Sequence, residues 1–272
     1  MNIPITMFHG TSEGDFKPTP MPLDAERFDR YFAMAHEFGF ESITYENLAA
    51  WRQGETELPK KPIMFDFDHA VKSIYHDVAP VMRRYGYTGN LFIYTEPVTS
   101  MYEKGVPPDR KRTDLTREES AALLDMGWPI GAHTHTHPNL SLLSVDDPTG
   151  EQLRNELDTC DEILKRELGI MPKDFAFTGT SWSQAAEDEV AKRYRFGRLW
   201  IVGSKYQVDG RDIRYADLVG IPGPDEADGG PPKAARYITQ NTHPYRLPSM
   251  EFQGLIYTFD AFRAYLEGAW SD

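Results

Sequence analysis

The 272-residue sequence predicts an α/β fold built on a parallel sheet, either open or closed into a barrel. Three observations predict it. Short apolar runs alternate with helical patterns from one end of the chain to the other. The length suits one α/β barrel, so a single domain over 1–272 is the simplest reading. Clustered Asp and His residues fall where apolar runs end, and parallel sheets place their chemistry at the carboxyl ends of strands.

The elements follow in order. Residues 3–8 form an apolar run ending at His9-Gly10, as a buried strand does. Residues 23–38 carry Phe28, Phe32, Ala35 and Phe38 near helical spacing, with Gly39 as the stop. Ser42-Ile43-Thr44 reads as a second strand, and 63–68 as a buried strand that delivers Asp66 and Asp68 at its end. A helix over 73–85 and a strand over 90–94 come next. Thr116-Arg117-Glu118-Glu119 is a capping box, which predicts a helix from Arg117 to Met126 stopped by Gly127. Ile130-Gly131-Ala132 leads into a histidine run, 152–168 is a long amphipathic helix closed by Gly169, and 175–177 is a strand. A helix over 185–194, a strand over 198–202 and a loop over 220–233 follow. A last strand near 255–258 and a helix over 260–266 finish the pattern.

Composition excludes some partners. Forty-two acidic against 29 basic residues give a formal charge of −13, which repels nucleic acid and anionic lipid. No stretch is long and apolar enough for membrane insertion, and the first residues carry no export signal, so the expected location is cytoplasmic. Cys160 is the only cysteine, which fits a reducing compartment, and it reads as a small apolar filler on a helix.

Two constellations carry chemistry. His133 and His137 lie four residues apart in His133-Thr134-His135-Thr136-His137-Pro138. On a helical turn both would share a face and reach one ion at about 2.0–2.1 Å through nitrogen. Three of the chain's eight histidines fall in this run directly after an apolar strand, which favours a metal site over a His-rich surface loop. His135, between the pair, should point elsewhere. The second constellation is Phe65-Asp66-Phe67-Asp68-His69. Alternation sets Asp66 and Asp68 on one face and His69 on the other, unless the strand ends there and the turn swings His69 round. Two carboxylates flanked by Phe are costly to desolvate without a cation or donors nearby.

At these residues the chain resembles the NodB-type polysaccharide deacetylases, carbohydrate esterase family 4, over about residues 5–259. Met7-Phe8-His9-Gly10 is similar to the family's opening M-Y-H-G, and 38–43 to its G-F-x-x-I step. The stretch 130–141 matches I-G-x-H-T-x-x-H-P-x-L-S almost letter for letter. The resemblance implies a distorted or incomplete (β/α) barrel with a divalent metal, Zn²⁺, at the strand carboxyl ends, held by His133 and His137. The family's first motif departs here. With Ser73 aligned on the motif's serine, Asp68 matches the catalytic base, and His69 stands where relatives have a metal-binding aspartate. The alternative register makes Asp66 the base and Asp68 the ligand. Three neutral imidazoles would leave the metal one charge more positive and lower the pKa of a bound water to near 7. In the first register Asp66 would orient one of the ligands.

Weaker positions complete the expected site. Phe175-Ala176-Phe177-Thr178-Gly179 stands where relatives carry F-A-Y-P-Y-G, so Thr178 is expected at the substrate, near an oxyanion-binding backbone. The family's arginine motif and late histidine acid are not recognisable. His243 is the candidate general acid, His9 is expected to face the site, and Trp182, Trp128 and Tyr102 are candidate sugar-stacking rings weighed against ordinary packing. His76 reads as idle. The implied reaction is hydrolytic removal of an N-acyl group, acetyl above all, from an amino sugar or glycan of surface-polysaccharide biosynthesis, O-antigen included, lipid- or nucleotide-linked inside the cell. The alternatives are an amidohydrolase of cyclic imides or ureides, and a carbohydrate-binding relative without turnover.

Overall fold

A computed structural model describes residues 1–11, 21–98 and 114–270. Seven parallel strands close on themselves: β1 (Ile3–Phe8), β3 (Pro62–Asp68), β4 (Asn90–Ile93), β5 (Ile130–Ala132), β6 (Asp174–Ala176), β8 (Phe196–Ile201) and β12 (Leu247–Glu251). Closure comes from β1, which pairs with β3 through Ile5 to Phe8 on one edge and with β12 through Thr6 and Met7 on the other. Two short strands extend the lower rim. The strand β2 (Glu41–Ser42) pairs with the start of β3, and β11 (Tyr237–Ile238) runs antiparallel to the start of β1. The barrel strands are buried on both faces, because helices cover the outside and side chains fill the inside.

Helices connect the strands on the outer surface. α1 (Ala25–Glu37) starts where Asp24 accepts from the Arg27 N–H at 2.7 Å, and it buries Phe28, Tyr31, Phe32 and Ala35. After a π-helical turn (Ile74–Val78) comes α3 (Ala79–Arg84), then α4 (Arg117–Asp125), α5 (Leu140–Asp146), α6 (Glu151–Leu168), α7 (Gln184–Ala191), α8 (Tyr215–Leu218) and α9 (Phe259–Gly268). The capping box at Thr116 and Glu119 is present, and Gly169 ends α6 with φ 69°. No helix among the described residues is long and apolar enough to cross a membrane.

Three readings of the sequence need correction. Residues 42–44 are not a strand beyond Ser42, because Thr44 is the N-cap of α2 (Tyr45–Arg52), a helix that plugs the lower end of the barrel. Residues 255–258 are not a strand either: Thr258 caps α9, and the last barrel strand is β12, eight residues earlier at its start. The 181–214 region adds a small separate sheet of β7 (Ser181–Trp182), β9 (Lys205–Val208) and β10 (Arg211–Arg214). It braces the outside of the mouth, where Gly210 N–H donates to Ser141 Oγ at 2.7 Å and the Asn139 amide to Gln207 Oε1 at 2.6 Å.

The inside of the barrel changes character from floor to mouth. At the floor, Ile3, Ile5, Met64, Phe92, Phe196 and Leu247 pack with Tyr45 and Leu48 of α2 in one apolar cluster. One inward step higher stand Asp66, Arg198 and Ser249, and at the mouth Asp68 and Glu251, all of them buried. Strand alternation, period two, puts these residues in one inward column per strand.

Candidate active site

The histidines converge although each stands on irregular backbone. The strand β3 ends at Asp68, and His69 takes φ 69°, which turns its ring into the mouth; its N–H donates to Phe92 O at 2.8 Å. The 133–139 run is a loop and not the helical turn that the spacing suggested. Thr134 and His137 both have positive φ, 69° and 60°. Such backbone costs of order 1–3 kcal/mol per non-glycine residue and persists only where neighbours hold it. Here the neighbour is α6, whose Glu156 carboxylate accepts from His135 N–H at 2.9 Å, Thr136 N–H at 2.8 Å and Thr136 Oγ1 at 2.6 Å. His137 N–H donates to Thr134 Oγ1 at 3.0 Å, and the Thr178 hydroxyl donates to Pro138 O.

The result is a triangle of imidazoles. One nitrogen from each of His69, His133 and His137 lies within 4.8 Å of the others. Among the described residues this is the cluster with metal-ligand geometry. His133 Nδ1 is 2.8 Å from Ala176 O, which makes Nδ1 the protonated nitrogen and leaves the Nε2 lone pair free. His69 Nε2 is buried with no hydrogen-bond partner. Burial, the largest cause, lowers the pKa of all three rings, and the neighbouring histidines lower those of His69 and His133 further. Neutral rings with free lone pairs are what a metal requires, so the residues present fit a divalent ion. His135 points away and bonds Thr95 Oγ1 at 3.0 Å.

Beside the triangle, Asp68 Oδ2 lies 3.8 Å from His133 Nε2. Its other oxygen accepts from Arg198 Nη2. Arg198 is fully buried on β8, with Nε 3.4 Å from Asp66 Oδ2 and its guanidinium 5.1 Å from the Phe92 ring centre. Asp66 also accepts from Tyr45 OH at 2.6 Å and from the Asn90 amide at 3.2 Å. Burial pushes the Asp66 carboxyl up to about 7, against the pull of Arg198. Asp66 therefore does not orient a histidine, as the sequence suggested; it sits below Asp68 and fixes Arg198. The guanidinium between the two carboxylates answers the desolvation question that the sequence raised.

His9, at the end of β1, faces the site with its ring 4.9 Å from that of His69. Burial, first, and Arg198, second, lower its pKa to about 4. Glu251 ends β12 with Oε2 3.9 Å from His9 Nδ1. Trp200 Nε1 donates to that same oxygen at 2.6 Å. Half-buried Tyr94 stands over His69 and His137, at 4.8 and 5.4 Å between ring centres.

Three expected site residues lie elsewhere or do something else. His243 precedes β12, beside Pro244, whose carbonyl accepts from Gly197 N–H at the start of β8; it is at the amino end of the barrel, and its neighbour is Glu187 at 4.0 Å. It cannot serve a site at the carboxyl end. Trp182 is buried, its indole N–H donates to Glu187 Oε2 at 3.0 Å, and Arg246 covers its ring at 4.7 Å, so no face is open to a sugar. The Thr178 side chain is buried and spent on Pro138 O, which makes it a brace of the histidine loop and not a substrate contact. Trp128 is likewise core, packed 5.2 Å from Phe67, and His76 pairs with Glu119 at 2.6 Å on the outside. Tyr102 lies outside the described residues.

Sequence reasoning missed Arg198, Glu251, Trp200 and Glu156. A signal existed for the first: Arg198 interrupts Phe196-Gly197-Arg198-Leu199-Trp200-Ile201, and a charge inside an apolar strand needs a buried partner. Glu251 had none, because its strand reads as Leu247-Pro248-Ser249-Met250-Glu251, without an apolar run.

Known proteins share this fold. A family model described as polysaccharide deacetylase matches residues 55–196. The Bacillus subtilis (strain 168) protein YxkH, whose name places it among the polysaccharide deacetylases, is 22% identical over 149 residues, 55% of this chain and 48% of its own. The chain thus spans about half the length of that curated relative. Among solved structures, the Streptococcus pyogenes deacetylase PplD in complex with acetate superposes with TM-score 0.65 at 16% identity over 92% of each chain. IcaB from Ammonifex degensii gives TM-score 0.65 at 14% identity over 99% of this chain and 97% of that one. These two likenesses establish the fold.

Proposed function

Because this chain belongs to the polysaccharide deacetylase family, we propose that it hydrolyses an N-acetyl group from an amino sugar of a glycan or its precursor, at His69, His133 and His137 holding one Zn²⁺. The observation that carries this reading is the triangle of neutral, lone-pair-bearing imidazoles at the barrel mouth. A bound divalent ion supplies a Lewis acid that polarises the acyl carbonyl and acidifies water. The protein's own groups do the rest. Asp68 Oδ2 faces the point that His133 Nε2 faces, so it is the base that takes the proton of the attacking water. Arg198 occupies Oδ1 and fixes the carboxylate plane, which leaves one oxygen for that proton. Tyr94, above His69 and His137, supplies an aromatic wall for a sugar ring. A negatively charged surface suits a neutral glycan better than a phosphate-rich polymer. The single buried Cys160 supports a cytoplasmic setting, and with it a precursor of surface polysaccharide as substrate.

The test combines metal analysis with acetate release from N-acetylglucosamine oligomers. Expected are about one equivalent of zinc, activity lost on chelation and restored by zinc, and a His133→Ala chain that neither retains zinc nor releases acetate. Ring opening of cyclic imides without acetate release would move the reading to an amidohydrolase. Full activity in His133→Ala would reject the site.

A further inference from the structure

Arginine binds a carboxylate best with two parallel N–H groups, one on each oxygen. Arg198 does not bind Asp68 that way. It gives Asp68 one group, Nη2 on Oδ1, while its Nε lies 3.4 Å from Asp66 Oδ2. The guanidinium is thus divided between two carboxylates of the same strand. Asp68 Oδ2 stays out of the contact and lies 3.8 Å from His133 Nε2. We infer that Asp66 is a positioning residue for the base: by holding Arg198 at Nε, it prevents a two-toothed Arg198–Asp68 pair that would occupy the oxygen needed for proton transfer. The inference rests on the deacetylase reading above, in which Asp68 is that base.

The surroundings of Asp66 suit this role. It is fully buried, one inward step below Asp68 on β3. Both its oxygens are held from the lower part of the barrel: Tyr45 OH donates to Oδ2 at 2.6 Å and the Asn90 amide to Oδ1 at 3.2 Å. Those two donors are themselves joined, since the Tyr45 N–H, at the start of α2, donates to Asn90 Oδ1 at 3.3 Å. Tyr45 packs into the apolar floor cluster, so Asp66 is tied to the packed end of the barrel.

Arg198 is held less firmly. Its Nη1 has no hydrogen-bond partner among the described residues, and its guanidinium lies 5.1 Å from the Phe92 ring centre. A guanidinium lying over a ring with one nitrogen unpartnered is free to turn in its own plane. The pull of Asp66 on Nε opposes that turn. Without it, either Nε with Nη2 or Nη1 with Nη2 closes on both oxygens of Asp68, the pairing that the planar fork favours. The carboxylate would then be neutralised at both oxygens instead of one.

Asp66→Asn keeps the shape of the side chain and removes its charge. In the zinc-loaded protein it should lower kcat on N-acetylglucosamine oligomers by about 10²-fold, with KM and zinc content within a few fold of wild type. Lysine is a point charge with no fork to close. Arg198→Lys added to Asp66→Asn should therefore raise kcat several fold above that of Asp66→Asn alone. Crystals of Asp66→Asn give a readout independent of turnover: Arg198 should lie within hydrogen-bond distance of both Asp68 oxygens. Folding is scored by Tm, and if Asp66→Asn does not accumulate, Asp66→Thr, smaller and suited to a strand, takes its place in each comparison. Three results overturn the proposal: Arg198 still on Oδ1 alone in the variant, a kcat loss no larger than the loss of folded protein, or a double variant no more active than Asp66→Asn. Wild type inert toward the oligomers would instead reject the deacetylase reading, and the base with it, wherever Arg198 lies in the crystal.

Discussion

Arg198 determines what the two aspartates can do. Its guanidinium reaches both carboxylates with no solvent exposure, and its Nη1 has no partner of its own. Removing one member of such a buried set leaves charge uncompensated, at a cost of about 3–5 kcal/mol. Arg198→Met should lose that much in denaturant unfolding and also lose acetate release, because Asp68 is no longer held. A variant of undiminished stability would mean that the aspartates carry no charge in the native state. The pH response of His9 follows from its lowered pKa. The folded chain disfavours the charged ring, so this residue contributes stability fully above 6.5, its ordinary value, and loses it as pH falls toward 4. Wild type should therefore lose Tm relative to His9→Gln between pH 6.5 and 4, measured on metal-free protein. Parallel Tm curves would contradict the burial that causes the shift.

At the scale of elements, the histidine loop is the strained piece and α6 is its support. Two left-handed residues are held by one carboxylate, Glu156, that takes three donors from the loop. Glu156→Ala should weaken zinc binding by about 10–100-fold, the usual effect of losing a group that orients ligands. Competition with a chromophoric chelator would measure it, and unaltered affinity would assign the loop's shape to Thr178 and the small sheet instead. The strands show why some elements were legible and one was not. β1, β3 and β5 announce themselves as buried strands because apolar residues fill most of their positions, with Asp66 and Asp68 of β3 set between phenylalanines. α4 and α6 were readable from a capping box and a closing glycine. β12 was not, because its inward face is Ser249 and Glu251, and Pro248 breaks the pattern further. A short strand that combines a proline with polar inward side chains looks like a loop in sequence, whereas the phenylalanines around Asp66 and Asp68 keep β3 legible.

The whole molecule is a barrel closed by its first strand, with an apolar floor, a charged middle and a histidine mouth. Closure ties the two ends of the chain together. Tyr265 of α9 accepts from Ile5 N–H at 2.9 Å, and Tyr237 OH of β11 donates to Tyr265 O at 2.8 Å. Chain ends joined in this way argue for one cooperative unit, so unfolding should follow a single transition. Zinc bound only by the folded barrel should raise Tm, by about 4 kcal/mol of added stability at a thousandfold excess over Kd. Calorimetry with and without chelator checks both. Two resolved transitions, or a Tm indifferent to zinc, would count against one domain organised around one ion.

The sequence by itself determined the α/β alternation, the family resemblance and the histidine pair, since these are written in local spacing: apolar runs, a capping box, and His133 and His137 side by side in the chain. Tertiary structure alone decided that His69 turns inward, that Arg198 stands between two carboxylates, and that Glu251 meets His9 while His243 and Trp182 belong elsewhere. The physical reason is that such contacts join residues tens to hundreds of positions apart, and closing the barrel, not any local propensity, sets which side chains share its interior.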